Sequence, residues 1–367
     1  MKPYKSSYHR LLLFIALAAF IGCSPNTSGN SGNTKTFSVG AMPLEIAADT
    51  SGNVWVLSFN SDTVTKLNAS QGVIGTYPVD PTPSNLATDA KGNVWVTSVR
   101  NSTITELNPS GNKIGDYSAG LDPFGIAIDA AGNVWIVNGT GTTTKLNAEG
   151  TLVGTFTVGA APVYEVIDVM GNIWVSDEGN NTVRVLNPTG TSVGTYGVGI
   201  SPTEIAIDGK NNAWVVNEGD STVTGIGADG ITAGTYKVNA SPYSIAIDPA
   251  GNIWIQGAHN VMRMGADGAS AQTYTMGTCP CDMAVDFSGT VFVADTLNGE
   301  LHAINAQSGI IGSYATGAGP SGIAIDTHGN VWVINIGENT VTEFSGLAHG
   351  GQYYPYKGPQ WYGGGNY

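Results

Sequence analysis

The chain has 367 residues, of which 51 are glycine and only 11% are charged, and its 28 acids against 14 basic residues leave a formal charge of −14. An acidic surface with no basic stripe excludes nucleic acid as a partner, because it repels phosphate backbones. Length alone suggests about two domains, but a repeated phrase overrides that prior: "IDAAGNVWIVN" at 128 returns as "IDVMGNIWVSD" at 167, "IDPAGNIWIQG" at 247 and "IDTHGNVWVIN" at 325.

At the N-terminus, Lys2, Lys5 and Arg10 precede an apolar run over 11–22 that is too short to span a bilayer as a mature helix, and Cys23 follows the small Gly22. The pattern predicts an export signal over residues 1–22. The segment "FIGC" resembles a bacterial lipobox, in which Cys23 becomes the lipidated first residue of the mature chain; an ordinary signal peptide with an incidental cysteine is the competing reading. Cys23 would attach the protein to a membrane of the bacterial envelope, and Ser24, which is not the Asp of inner-membrane retention, directs it to the outer membrane if the cell has two. Residues 23–34 carry no large apolar side chain beyond that cysteine and are expected to form a flexible tether. Loss of the signal removes three basic residues and no acid, so −14 becomes −17.

From residue 35 the chain is periodic. Trp55, Trp95, Trp135, Trp174, Trp214, Trp254, Phe292 and Trp332 recur at intervals of 38 to 40 residues, and six residues after a proline each unit places an Asp, from Asp49 to Asp326. Within a unit the apolar period is two, the residues are Val, Ile, Thr, Tyr and Trp, and Gly, Asn, Asp and Pro mark the breaks, which is strand and turn chemistry. In the third unit "FGIAID", "NVWIVN", "TTTKLN" and "GTFTVG" read as four short strands, with Asp129 bonding local backbone in the turn and Gly132 supplying a positive φ. Four strands in forty residues match a propeller blade, and no helical spacing appears in the mature chain. The recurring Trp is expected to pack the wedge between blades, with the small residue of the first strand, such as Ala127, receiving the Trp of the next blade.

The chain ends predict ring closure. Residues 35–43, "KTFSVGAMP", repeat the fourth-strand text "GTFTVGAAP" of residues 154–162, while the eighth unit lacks a fourth strand. The N-terminal strand should therefore complete the last blade, giving an all-β, eight-bladed propeller of four-stranded antiparallel blades over residues 35–347. The Gly- and Tyr-rich tail, 348–367, reads as dispensable.

Function should show where the repeat departs from itself. The second residue after each proline varies most, as Glu45, Asn85, Gly125, Tyr164, Glu204, Ser244, Asp282 and Gly322, and these positions should ring the mouth of the channel on the top face. Glu165 stands where the seven other units place Ile, Leu or Met, and a buried carboxylate needs a partner. Two readings stay open: a cation, magnesium or calcium, or a polar ligand held by Glu165 with Glu45, Glu204 and Asp282, or a blade twisted so that Glu165 meets solvent. Tyr164 and Tyr243 add aromatic rings to this entry, and Glu178, Glu218 and His259 lie in the loops between second and third strands on the same face. His259, His302, His328 and His349 fall in a top loop, a third strand, a bottom turn and the tail, without zinc spacing. Cys279 and Cys281 flank Pro280; a bridge across one residue is strained, and two incidental thiols are the alternative.

The phrase Pro-x-x-Ile-Ala-x-Asp-x-x-Gly-Asn-x-Trp-Val, carried over residues 36–346, resembles the virginiamycin B lyase (streptogramin lyase) group and the neighbouring NHL-repeat propellers. The resemblance implies magnesium-assisted ring opening of a cyclic depsipeptide, using histidines and a glutamate on the top face, with a Glu three residues after the Trp and a catalytic Glu-x-His in one blade. Here the residue three after the Trp is Ser58, Ser98, Asn138, Asp177, Asn217, Gly257 or Asn335, and His259 lies in a comparable loop. Two functions follow: a lipid-anchored, non-catalytic propeller that binds a small molecule, polymer or partner protein at its top face, or a metal-assisted lyase or hydrolase working at the acidic mouth.

Overall fold

The computed structural model describes residues 34–238, 241–268, 271–276 and 280–352. Eight four-stranded antiparallel sheets follow one another along the chain, each built from consecutive strands except the last, and among the described residues there is no helix. Blade one is Pro43–Ala48, Val54–Ser58, Thr63–Asn68 and Gly72–Pro78. Blade eight takes Pro320–Ile325, Val331–Asn335 and Thr340–Phe344 from the C-terminal end and Thr34–Ser38 from the N-terminal end, with Thr34 opposite Phe344 and Ser38 opposite Thr340. The expected closure is observed. First strands of successive blades touch one another around the ring, and that of blade eight touches that of blade one. The face carrying the turns between strands one and two and between strands three and four is the bottom; the opposite face is the top.

The invariant Asp is the knot of each blade. Asp49 Oδ1 accepts the amides of Ser51 and Asn53, both at 2.9 Å, and its Oδ2 accepts Asn53 Nδ2 at 2.8 Å and Trp55 Nε1 at 3.0 Å. Seven blades repeat the indole bond, at 3.0–3.4 Å. One buried carboxylate thus closes the hairpin and fixes the Trp rotamer, and each such bond is charge-assisted. Gly52 turns the chain at φ 77°, the left-handed region where a side chain is strained.

Each of the seven blade Trp residues is at most 4% exposed and packs against the fourth-strand aromatic of its blade, as Trp135 does with Phe156 at 5.8 Å. The alanine of the first strand does not receive a neighbour's Trp. Ala47 lies in register with Trp55 of its own blade, and the two together meet Leu86, Val94 and Val96 of blade two. Cross-strand pairs share a sheet face, so the small residue makes room inside the blade and the neighbour contributes aliphatics. Bottom contacts staple the wedges: Lys66, Lys145 and Arg263 donate to the carbonyls of Pro109, Pro188 and Ala306 in the following blade.

The tail begins as structure rather than appendage. Phe292 replaces Trp in blade seven, so Asp286 Oδ2 has no indole donor, and the amide of His349 fills the place at 2.8 Å. Ala348 is 7% exposed with its amide on Gly329 O, and the Ile325 amide donates to Gln352 Oε1 at 3.0 Å. Residues up to Gln352 are therefore docked under blades seven and eight, and the expectation of a dispensable tail from 348 does not hold for this stretch.

Candidate functional site at the top of the channel

The mouth is shaped by the innermost strands. In seven blades, all but blade six, the register of strand one shifts between the proline and the residues two or three beyond it, so a bulge sits where each strand reaches the top. Bulges re-aim side chains, and here they govern the variable positions. The second residue after the proline faces the following blade, and the third faces the preceding one. Glu204 Oε2 accordingly accepts the Ile245 amide of blade six at 3.0 Å, and Asp282 Oδ2 accepts the Ile323 amide of blade eight at 2.8 Å, while Asp282 Oδ1 takes the Met283 amide. These acids brace neighbouring blades.

Glu165 points the other way, into the wedge between blades four and three. It is 9% exposed, and a Cβ placed on Gly125 would lie 2.2 Å from its Oε2 and 2.6 Å from its Oε1. Gly125 is thus the cradle that admits a carboxyl in place of the usual Ile, and the twisted blade with solvated Glu165 is not what forms. Burial raises its pKa to about 8, opposed only by a hydrogen bond from its own amide, so Glu165 is chiefly a neutral acid at pH 7.

The remaining predicted residues are spread around the ring. Tyr164 packs half-buried between blades four and five, and Tyr243 OH accepts Gln256 Nε2 at 3.1 Å. Glu178 and Glu218 sit half-buried in top loops, and His259 stands in the blade-six loop, its carbonyl accepting the Met276 amide. Glu45 is half-buried on the first strand of blade one. Among the described residues no three His, Cys, Asp or Glu side chains gather where they could hold one metal ion; Glu45, Glu165, Glu204 and Asp282 do not converge. Cys281 is half-buried on strand one of blade seven, while Cys279, and with it the proposed bridge, and Cys23 lie outside the described residues.

One polar cluster escaped the reading from sequence. His302 occupies the third strand of blade seven, with Nδ1 2.7 Å from Ser313 Oγ and Nε2 3.5 Å from Asp295 Oδ2 and 3.7 Å from Glu300 Oε2. Burial pushes the Asp295 carboxyl up, but bonds from His302 and Asn298 outweigh it and hold the pKa below the ordinary value. Glu300, Leu301 and His302 spell the Glu-x-His named by the lyase resemblance, and that spacing was the signal available. Its setting is a seam across strands two, three and four found in other blades: Asn217 to Thr224 to Thr235 in blade five, and Asn335 to Thr342 to Thr36 in blade eight. His302 stands at the register position of Thr224, is 7% exposed, and has both ring nitrogens engaged.

No protein-family model matches the sequence, and no curated protein matches it either. Solved structures do resemble it. Virginiamycin B lyase from Staphylococcus aureus is 15% identical, with 85% of this chain and 99% of that one covered at a TM-score of 0.61. BamB from Moraxella catarrhalis is 12% identical, covering 86% and 98% at 0.66, and the C-terminal WD40 domain of Sif2 is 10% identical, covering 88% and 100% at 0.71. The least identical of the three superposes best, so the likeness follows architecture, and the protein is an eight-bladed β-propeller.

Proposed function

We propose that this propeller is a lipid-anchored extracytoplasmic module that binds a partner through its top face without chemistry of its own. One observation carries the reading: the bottom turn repeats Asp-x-x-Gly-Asn almost unchanged, whereas the residues that differ between blades gather at the top. Repeat proteins vary where they bind, since the rest of each unit is constrained by stacking. That face offers Glu45, Asp62, Glu178, Glu218 and Asp220 beside two aliphatics in entry loops, Leu121 at 66% and Ile200 at 54% exposure. Acid and apolar groups together suit a peptide or protein surface that presents basic and apolar side chains.

A photo-crosslinking residue at Leu121 or Ile200 should give a discrete adduct in cells, and one at Phe287 on the bottom should give none with that partner. Adducts from Phe287 alone, or from neither face, would remove the top-face reading. The second reading, metal-assisted lyase chemistry, has Glu300 and His302 as its motif match. Magnesium-dependent ring opening of a cyclic depsipeptide, seen as a linear product by mass spectrometry and lost in His302→Ala, would replace binding with catalysis.

A further inference from the structure

The outer strand of the blades repeats a costly feature. In blade three Lys145 faces Gly154 and Leu146 faces Leu152, so Val153 has no partner and bulges from the edge. The same slip expels Ile74, Ile114, Val193 and Ile311 in blades one, two, four and seven. These five side chains are 39–57% exposed. They stand where the fourth strand leaves the bottom turn, on the lower rim. Among the described residues, twelve of the fourteen exposed large hydrophobic side chains lie on this rim or in the adjoining turns, Met170 at 64% and Phe287 at 52% among them; Leu121 and Ile200 are the two on top. A ring of bulges that each aim an aliphatic residue outward is a built surface, since isolated exposed apolar residues would be scattered.

The path of the chain indicates what meets it. The first described residue, Thr34, lies opposite Phe344 at the bottom end of blade eight, on the same rim. Ten residues lie between it and Cys23, a reach of at most about 40 Å even fully extended. Lys35, Lys91 and Lys210 share the bottom with Glu149, Asp229 and Asp267, so its exposed charge is near balance, while the top is acidic. We propose that the lower rim docks on a lipid surface, the bulged aliphatics entering the headgroup region while the acidic top faces away from it. The proposal rests on the anchoring reading for its orientation, and it makes the lipid at Cys23 one of two attachments, as stable peripheral binding requires.

The test uses the processed chain from Ser24, which holds every strand of the closed ring, with vesicles of phosphatidylethanolamine containing a minor fraction of phosphatidylglycerol. It should co-sediment weakly and with little dependence on salt. Combined Ile74→Ser, Ile114→Ser, Val153→Ser, Val193→Ser and Ile311→Ser should weaken partition about tenfold, while Leu121→Ser with Ile200→Ser leaves it unchanged. If the fivefold variant fails to fold, Ile114→Ser with Val193→Ser should still show a partial loss. Equal partition of wild type and rim variants, or none by the wild type, overturns the proposal. So does a concentration-dependent dimer abolished by the rim variant, which would make the rim an interface between copies. Mass spectrometry of Cys23 in the full-length protein reports on the anchor separately: an unlipidated Cys23 with intact vesicle binding removes the anchor and keeps the rim.

Discussion

At the level of single residues, Glu165 combines the largest departure from the repeat with the clearest physical consequence. Its folded pKa, about 8, lies above the roughly 4.3 of an unfolded glutamate. Between these values the folded protein holds a proton that the unfolded chain has released, so the contribution of Glu165 to stability is most favourable below about pH 4.3 and falls as pH rises toward 8. Urea titrations from pH 5 to 9 should show this decline, by at most about 1.4 kcal/mol per pH unit, and Glu165→Gln should flatten it. Glu165→Ile should regain burial worth about 1.5–3 kcal/mol. Gly125→Ala should cost about 1–3 kcal/mol through its clash with the carboxyl, and much less in a Glu165→Ala background, because the two residues occupy one space. Equal cost in both backgrounds would show that the cradle does not constrain Glu165.

The Asp295–His302 pair is a second residue-scale case. His302→Thr alone leaves a fully buried carboxylate short of a donor and should destabilise by about 2–4 kcal/mol. Adding Asp295→Asn rebuilds the seam that blade five uses, Asn217 with Thr224, and should recover most of the loss by chemical denaturation. Because the Asp295 pKa is depressed, its contribution is present above the ordinary carboxylate range and is lost as pH falls through the lowered value. The Glu-x-His at 300–302 was legible as letters; that it lies in a sealed seam of the outer strands was not, since register across three strands decides which residues share a face.

At the level of elements, the two ends of the chain close the molecule differently. Deleting residues 34–40 strips the fourth strand from blade eight and leaves Thr340–Phe344 as an unpaired edge, so aggregation or a melting temperature lower by about 10 °C or more is expected. Deletion of 353–367 should leave the melting temperature unchanged. Deletion of 345–367 should lower it, because Asp286 loses the His349 amide and the Ile325 amide loses Gln352. Indistinguishable melting of the two C-terminal truncations would refute a docked tail. Strand closure was readable because residues 35–43 repeat text found elsewhere in the chain. The tail has no counterpart in any other unit, and the place its His349 amide takes on Asp286 is one that Phe292, standing where other blades have Trp, leaves without an indole donor.

For the whole molecule, Cys23→Ser should move the protein from the membrane fraction to the soluble or unprocessed pool. A wild type already soluble in the periplasm or medium would defeat the anchoring reading. The sequence by itself determined the blade count, the four strands of each unit, the hairpin turn and the joining of first and last strands, because these depend on local period and turn chemistry repeated eight times. Only the tertiary structure decided which way the variable side chains turn. Bulges near the prolines of seven blades send Glu204 and Asp282 to the next blade and Glu165, one residue further from its proline, to the one before, so four acids that lie close to the same point of the repeat do not meet in space. Their fate depends on the neighbour each one faces, an amide for Glu204 and Asp282 and the bare backbone of Gly125 for Glu165, and that pairing of blades is set by packing around the ring rather than by any single repeat.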